Sequence, residues 1–348
     1  MPSLITHLKN IEYLTDFKSS NAFMILTAKQ AYLFTDGRYL EKAKNLAQQG
    51  KSRLGKFTVI EMGKDLIETL KKISEKHKFS ILEYEDEHIS VAKYEHFRKI
   101  LKGMRWQKGE KGIENQRSRK DASELKKLKK SQQINEQLFY SIRALLTPGI
   151  TELEIAQQIK KRCYDHGADD ISFEPIIGFG NHSSMPHHQN TTRKLKKGEL
   201  VLIDMGVLFQ GYASDMTRMV FTKSPTAFEE KIYNLVLEAQ EAAIQAMQPG
   251  RHCDAIDQVA RTLLTQAGYG ETFCHSLGHG IGLEVHEAPT LSVRSKDMLQ
   301  EGMVVTSEPG IYLPGQFGVR IEDMIAITKK GHENLTSAPK GIKESILS

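Results

Sequence analysis

Short apolar segments separated by polar turns dominate the first hundred residues. Apolar, β-prone residues at Ala22–Leu26 and Ala31–Thr35 flank a polar turn and predict two short strands. Leucine and isoleucine spaced among lysines over residues 67–77 predict a helix, and residues 79–82 a further strand. Together they describe a small α/β domain without readable chemistry of its own. Further on, Leu125, Leu128, Ile134, Leu138 and Ile142 recur at helical intervals and predict a long helix over residues 122–146.

A pattern then occurs twice. Its first copy has Pro148 and Gly149, a helix opened by Thr151 with Glu154 three residues on, and a stop at Gly167. Its second has Pro249 and Gly250, a helix opened by Asp254 with Ile256, Val259, Ala260, Leu263 and Leu264 on one face, and a stop at Gly268. Downstream, KKGELVLIDMG (196–206) echoes QEGMVVTSEPG (300–310): Asp204 lies six residues after Gly198, and Glu308 six after Gly302. A second strand beyond each carries another carboxylate, Asp215 in GYASDMTRMV and Glu322 in FGVRIEDMIA. Two similar αβ halves related by a pseudo-two-fold would bring all four carboxylates to one place.

A chain of 348 residues divides into roughly two domains. The charge-dense stretch 111–130 marks the boundary, giving a first domain over 1–112, a charged linker over 113–121 and a second domain over 122–348. Hydrophobic residues at 39% and charged residues at 26% exclude a disordered chain. No apolar run approaches the ~18–20 residues of a membrane helix, and the first residues lack a basic region followed by an apolar one, so a cytoplasmic protein with no membrane partner is expected. Cys163, Cys253 and Cys274 are too scattered for a disulfide framework and read as small buried hydrophobes. Residues 111–130 hold eight cations and three acids, so the whole net charge of +5 resides there. Its LysLysLeuLysLys run has no interleaved aromatics for stacking on bases and reads as a solvated helix face, not a nucleic-acid partner surface.

Apolar strands normally exclude Asp and Glu, because an unpaired buried carboxylate costs several kcal/mol and would sooner take a proton. Any one of the four could meet an arginine such as Arg218 or Arg320. Four in repeated positions require more positive charge, and divalent ions are the simplest supply. HSLGHGIGLEVHE (275–287) offers nitrogen ligands in His275, His279 and His286. It is not a zincin motif, since the HExxH glutamate is absent and glycines at 278, 280 and 282 argue against a helix. An oxygen-dominated set suits Mn²⁺, Co²⁺ or Zn²⁺, and bridging carboxylates suit a pair of ions, which implies hydrolysis.

With these motifs the chain resembles, over nearly its whole length, the pita-bread metallopeptidases, the group of aminopeptidase P, prolidase and methionine aminopeptidase. The resemblance implies an α/β (α+β) protein: a small N-terminal creatinase-like domain, then a pseudo-two-fold pita-bread catalytic domain. It assigns the metal ligands to Asp204 in IDMG, Asp215 in SDMTR, His279 in GHGIG, Glu308 in SEPGIY and Glu322 in RIED. Glu308 is also the implied proton shuttle, with a metal-bridging water or hydroxide as nucleophile. His187 and His286 match histidines that contact substrate or stabilise the tetrahedral intermediate, the family spacing selecting His187 over His188. His275 and Arg320 match positions beside the site.

The preceding domain, GLEVHE and TDGRY (35–39) resemble the proline-directed members, and the full ligand set disfavours creatinase. The implied activity is release of an N-terminal residue before proline, an Xaa-Pro aminopeptidase acting on Xaa-Pro peptides with two divalent ions, Mn²⁺ foremost and Co²⁺ or Zn²⁺ as alternatives. An Xaa-Pro dipeptidase is the alternative, and a catalytically silent binding module of the same fold a further one. Some prolidases carry an arginine four residues after the histidine of the HisGlu pair; here Thr290 stands there, with Arg294 nearby. The family also implies a homodimer through the first domain.

Overall fold

The computed structural model describes residues 1–347. The chain forms two units, Met1–Arg117 and Ser118–Ser348. The first opens with β1 (Ser3–Ile5) and α1 (Leu8–Thr15), followed by β2 (Ala22–Leu26) and β3 (Ala31–Thr35), the two strands expected from the sequence. α2 (Leu40–Gln49), β4 (Thr58–Glu61), α3 (Leu66–Lys76), β5 (Ile81–Tyr84), α4 (Val91–Ile100), β6 (Arg105–Lys108) and α5 (Gly112–Ser118) complete it. β5 begins later than the expected 79–82. Lys78 turns the chain at a positive φ of 51°, and Phe79 N donates to Ser74 O, so these residues close α3 instead of starting a strand. The strands form one mixed sheet in the order β4-β3-β2-β1-β5-β6. Leu4, Phe23, Phe34, Leu70, Leu82 and Phe97 pack its core. TDGRY turns off the end of β3, where Arg38 Nε and Nη2 fork onto the Asp36 carboxylate.

Residues 113–121, read from the sequence as a linker, hold α5 and then Asp121, which caps α6 (Ala122–Arg143) in a capping box with Glu124. α6 stops short of the expected 146 because Leu145 N bonds Ile142 O and Leu146 N bonds Arg143 O, tightening the last residues into a turn. In the lysine run, Lys129 reaches Glu333 at 2.7 Å and Lys127 lies over the Tyr212 ring, while Lys126 and Lys130 are exposed.

The second unit repeats one motif. α6 is followed by α7 (Glu152–Asp165), β7 (Asp170–Ile171), β8 (Ile176–Phe179), β9 (Leu200–Met205), the β10 (Val207–Phe209) and β11 (Tyr212–Ala213) hairpin, and β12 (Met216–Phe221). α8 (Ala227–Ala246) and α9 (Cys253–Gln266) then lead to β13 (Gly278–Gly280), β14 (Glu287–Leu291) and β15 (Val304–Ser307). The β16 (Gly310–Leu313) and β17 (Phe317–Arg320) hairpin precedes β18 (Asp323–Thr328) and β19 (Gly331–Asn334). Thr151 caps α7 with Glu154 as expected. The cap of α9 is His252, not Asp254, whose side chain bonds the next backbone N–H within the first turn.

β9 and β12 pair antiparallel with Asp204 opposite Thr217, and β15 and β18 pair antiparallel with Ser307 opposite Asp323. Each carboxylate-bearing strand is entered through a glycine at positive φ, Gly198 at 83° and Gly302 at 87°, a conformation that side chains with a Cβ resist. Leu138, Ile155 and Ile203 pack one half; Val236, Ile256, Val305 and Ile325 pack the other. The halves are stitched where Glu322 N donates to Thr217 O and the buried Arg218 donates to Glu322 O, Asp323 Oδ1 and Ala338 O. Cys163 and Cys253 are buried, but Cys274 is exposed, since it precedes β13 in a loop instead of pointing into a core. Among the described residues, no helix is long and apolar enough to cross a membrane.

Candidate metal centre

The stitched seam brings the four repeated carboxylates together. Asp204 lies near the end of β9, Asp215 just before β12, Glu308 just after β15 and Glu322 just before β18. His279, in the middle of β13, reaches them from the second half: its Nε2 is 3.3 Å from Glu308 Oε1 and 3.7 Å from Asp215 Oδ2. Ligating atoms of Asp215, His279 and Glu322 all lie within 4.8 Å of one another. The glycines flanking His279 are required by close approach, because a Cβ at Gly278 would sit 2.1 Å from Thr306 O and one at Gly280 2.2 Å from Ala288 O.

The tautomer of His279 is set by the backbone. Its Nδ1 donates to Gly280 O at 3.1 Å, so in the neutral ring Nε2 presents a lone pair to two carboxylates. Two acceptors facing each other need a proton or a metal ion between them. Burial would keep His279 neutral, yet its bond to Glu308 outweighs burial and raises its pKa. Conversely, burial raises the Glu308 carboxyl, but His279, His275 and Arg320 together bring it down to about 2.

The other carboxylates are short of positive charge. Burial, then Glu322, Asp204 and Glu308, raise Asp215 well above the usual carboxylate range. Burial, then Glu308 and Asp204, do the same to Glu322. Among the described residues, Arg320 is the one arginine that donates to a carboxylate of the group, with Nη2 2.6 Å from Asp204 Oδ2, and even so burial raises Asp204. Asp204 Oδ1 is buried with no hydrogen-bond partner, which is rare for a buried carboxylate oxygen. An oxygen-rich donor set, a correctly tautomerised imidazole and an orphaned carboxylate oxygen fit divalent cations.

Around this centre, Arg320 Nε donates to Thr217 Oγ1 at 3.0 Å, and Thr217 Oγ1 donates to Glu322 Oε2 at 2.7 Å. Arg320 Nη1 donates to the Tyr312 hydroxyl at 2.8 Å, which in turn faces His275 Nε2 at 2.9 Å. His275 Nδ1 donates to Ser276 O at 2.8 Å, so both its nitrogens are engaged away from the carboxylates. Burial lowers its pKa. His286 is exposed and lies edge-on to His279 with ring centroids 4.2 Å apart; burial of its ring, then the charge of His279, lower its pKa. His187 is exposed and close enough to His275 and His286 for its charge to act on both.

Thr217 and Tyr312 escaped the sequence reading. Thr217 lies two residues after Asp215, so strand alternation puts both on one face. Tyr312 had no comparable signal beyond its place after the Glu308 turn.

Two other groups of potential ligands compare poorly. Glu152 with His182 and His188 is a carboxylate already filled by donors. Glu114 with His7 and His88 has its two imidazoles stacked 3.7 Å apart at 2°. Their in-plane lone pairs cannot both aim at one ion, and Arg117 Nη1 sits 3.5 Å from His7 Nδ1.

Residues 126–329 match the model of metallopeptidase family M24, and residues 3–119 that of the creatinase/prolidase N-terminal domain. The chain therefore belongs to metallopeptidase family M24, the class the fold and the carboxylate cluster define. Among individual proteins, it is 35% identical to the uncharacterized peptidase YqhT of Bacillus subtilis over 97% of this chain and 94% of the relative. The solved Xaa-Pro dipeptidase from Bacillus anthracis superposes with a TM-score of 0.92 at 33% identity, covering 99% of this chain and 95% of that one. The X-Pro aminopeptidase from Thermotoga maritima gives a TM-score of 0.88 at 32% identity, covering 98% and 96%.

Proposed function

We propose that this chain is an Xaa-Pro exopeptidase, an aminopeptidase releasing the residue before proline, with Asp204, Asp215, His279, Glu308 and Glu322 holding two divalent ions. The observation that carries it is the crowding of four carboxylates, three of them buried and Glu308 half-buried, around His279, with one oxygen of Asp204 left without a hydrogen-bond partner. Mn²⁺ is the proposed ion, with Co²⁺ or Zn²⁺ as alternatives. The likeness to solved X-Pro aminopeptidase and Xaa-Pro dipeptidase chains supports the substrate class. A bond to proline has no N–H for a general peptidase to grip, so it calls for a dedicated site. The same reading takes the protein as cytoplasmic, and as a homodimer, the latter as the family resemblance implies.

When bound, two divalent ions supply the Lewis acidity that makes water nucleophilic at neutral pH and polarises the scissile carbonyl. Glu308, ionised at neutral pH, accepts the proton of the attacking water and hands it to the departing proline nitrogen. His187 and His286 stand at the exposed side of the centre and donate to the carbonyl oxygen as it gains charge. His275 acts at one remove, holding Tyr312 and through it Arg320, which keeps Asp204 in place.

Dipeptidase activity is the second reading, supported by the Bacillus anthracis relative. A strict dipeptidase must hold the free carboxylate of proline, for which an arginine fork is suited. At the corresponding position this chain has Thr290, opposite His279 in the β13–β14 ladder. The test loads metal-stripped protein with Mn²⁺, Co²⁺ or Zn²⁺ and compares kcat/KM for Ala-Pro-Ala and Ala-Pro. The tripeptide should be cleaved at least as well. A tenfold preference for the dipeptide, about 1.4 kcal/mol of transition-state binding, assigns the second reading, and no cleavage of either overturns both.

A further inference from the structure

Glu152 lies outside the metal centre and is wholly buried. It is the first residue of α7, where the helix dipole favours a negative charge. Five donors converge on it. Oε1 accepts from Phe179 N at 3.0 Å and His182 Nδ1 at 2.8 Å. Oε2 accepts from His188 Nε2 at 2.9 Å, Thr191 N at 3.0 Å and Thr191 Oγ1 at 2.7 Å. A carboxylate only accepts, so each imidazole must carry its proton on the nitrogen facing Glu152. Burial raises this carboxyl, but the donors outweigh it and hold it ionised.

One carboxylate therefore ties both ends of the segment from Phe179 to Thr191. The opposite side of the same segment is fixed to the metal-centre half of the fold. Gly318 N donates to Ser183 Oγ at 2.8 Å, and Arg320 Nη1 donates to Pro186 O at 3.4 Å. His187 is the residue between these anchors: Pro186 is held by Arg320, and His188, 8% exposed, is held by Glu152. His188 is buried against Glu152 while His187, in the same turn, is exposed and close enough to His275 and His286 for its charge to act on both.

We propose that Glu152, acting through His188 and His182, is a positioning residue that fixes His187 for its contact with the scissile carbonyl. This rests on the reading of His187 as a donor to that oxygen. Misplacing such a donor by an ångström typically costs up to about 10²-fold in rate. The effect should fall on kcat, because the metal ligands and the rest of the substrate site are untouched.

The experiment is a double-mutant cycle on the Mn²⁺-loaded enzyme with Ala-Pro-Ala, combining Glu152→Gln with His187→Ala and measuring kcat, KM, metal content and melting temperature. Glu152→Gln alone should lower kcat about 10–100-fold with KM changed less than about threefold and metal content intact. In the His187→Ala background, the same change should cost less than about threefold, because the residue it positions is gone. A full multiplicative loss in that background would mean a general structural role and overturn the proposal. If His187→Ala alone leaves kcat unchanged, the reading of His187 fails, which is visible before the cycle is closed. Should Glu152→Gln fold poorly, His188→Ala and His188→Gln carry the same test. The glutamine keeps a donor toward Glu152 and should recover most of the rate lost in the alanine variant, and equal loss in both would overturn the clamp.

Discussion

Metal-stripped Asp215→Asn protein should be more heat-stable than metal-stripped wild type at neutral pH. Asp215 is 5% exposed, and burial, Glu322, Asp204 and Glu308 all raise its carboxyl, each ranking above the opposing pull of Arg320. A carboxyl whose pKa is higher in the native than in the unfolded chain binds its proton more tightly when folded. Its penalty is absent below the unfolded value, near 3.9, and grows as pH rises through the native value. An amide of the same shape removes that penalty and gives up the contact with His279 at 3.7 Å. Each unit of pKa separation is worth about 1.4 kcal/mol, and relieving a functional site of this kind typically yields about 0.5–2 kcal/mol. At about 2–4 °C per kcal/mol, the melting temperature should rise by roughly 1–8 °C. Circular-dichroism melts after chelation, at pH 5 and pH 7.5, should show the larger gain at the higher pH. Excess Mn²⁺ should reverse the order, since wild type gains about 2.7 kcal/mol at a hundred times Kd and the variant gains less. A variant less stable than wild type at both pH values without metal would refute the reasoning, because Asp215 would then be held by native bonds and not be short of a cation.

Other outcomes follow from the same geometry. Glu322→Gln and Asp204→Asn should lower metal content and turnover together, read by elemental analysis beside the peptide assay. His286→Ala and His187→Ala should keep their metal while kcat falls about 10²–10³-fold; loss of metal from either would make that histidine a ligand. Thr217→Val removes the hydroxyl that links Arg320 to Glu322 and should weaken Mn²⁺ binding about 10–100-fold by titration calorimetry with all five donors still present.

Much of this site was legible because the repeat is written in residues that tolerate little substitution. Gly198 and Gly302 both sit at positive φ before a strand that ends in a carboxylate, and the spacing survives in both halves. Acids within apolar strands then signalled a shared counter-charge, and the structure gathers Asp204, Asp215, Glu308 and Glu322 around His279. The element ends were less legible. Lys78 adopting a positive φ and the three-residue bonds after Ile142 are decided by backbone closure, to which hydrophobic periodicity is blind. Cys274 was misjudged because its place in a loop before β13 depends on tertiary context. His188 shows the deepest limit. Beside His187 in sequence, it is chemically identical, and only the buried carboxylate of Glu152, 36 residues away along the chain, gives the two histidines different surroundings.

The central claim is that the five side chains at the seam hold a pair of ions, and anomalous diffraction from crystals grown with Mn²⁺ tests it most directly. Two anomalous peaks about 3.5–4 Å apart, contacted by Asp204, Asp215, His279, Glu308 and Glu322, are the predicted result. Peaks confined to Glu152, His182 and His188, or none within bonding distance of the seam carboxylates, would contradict it.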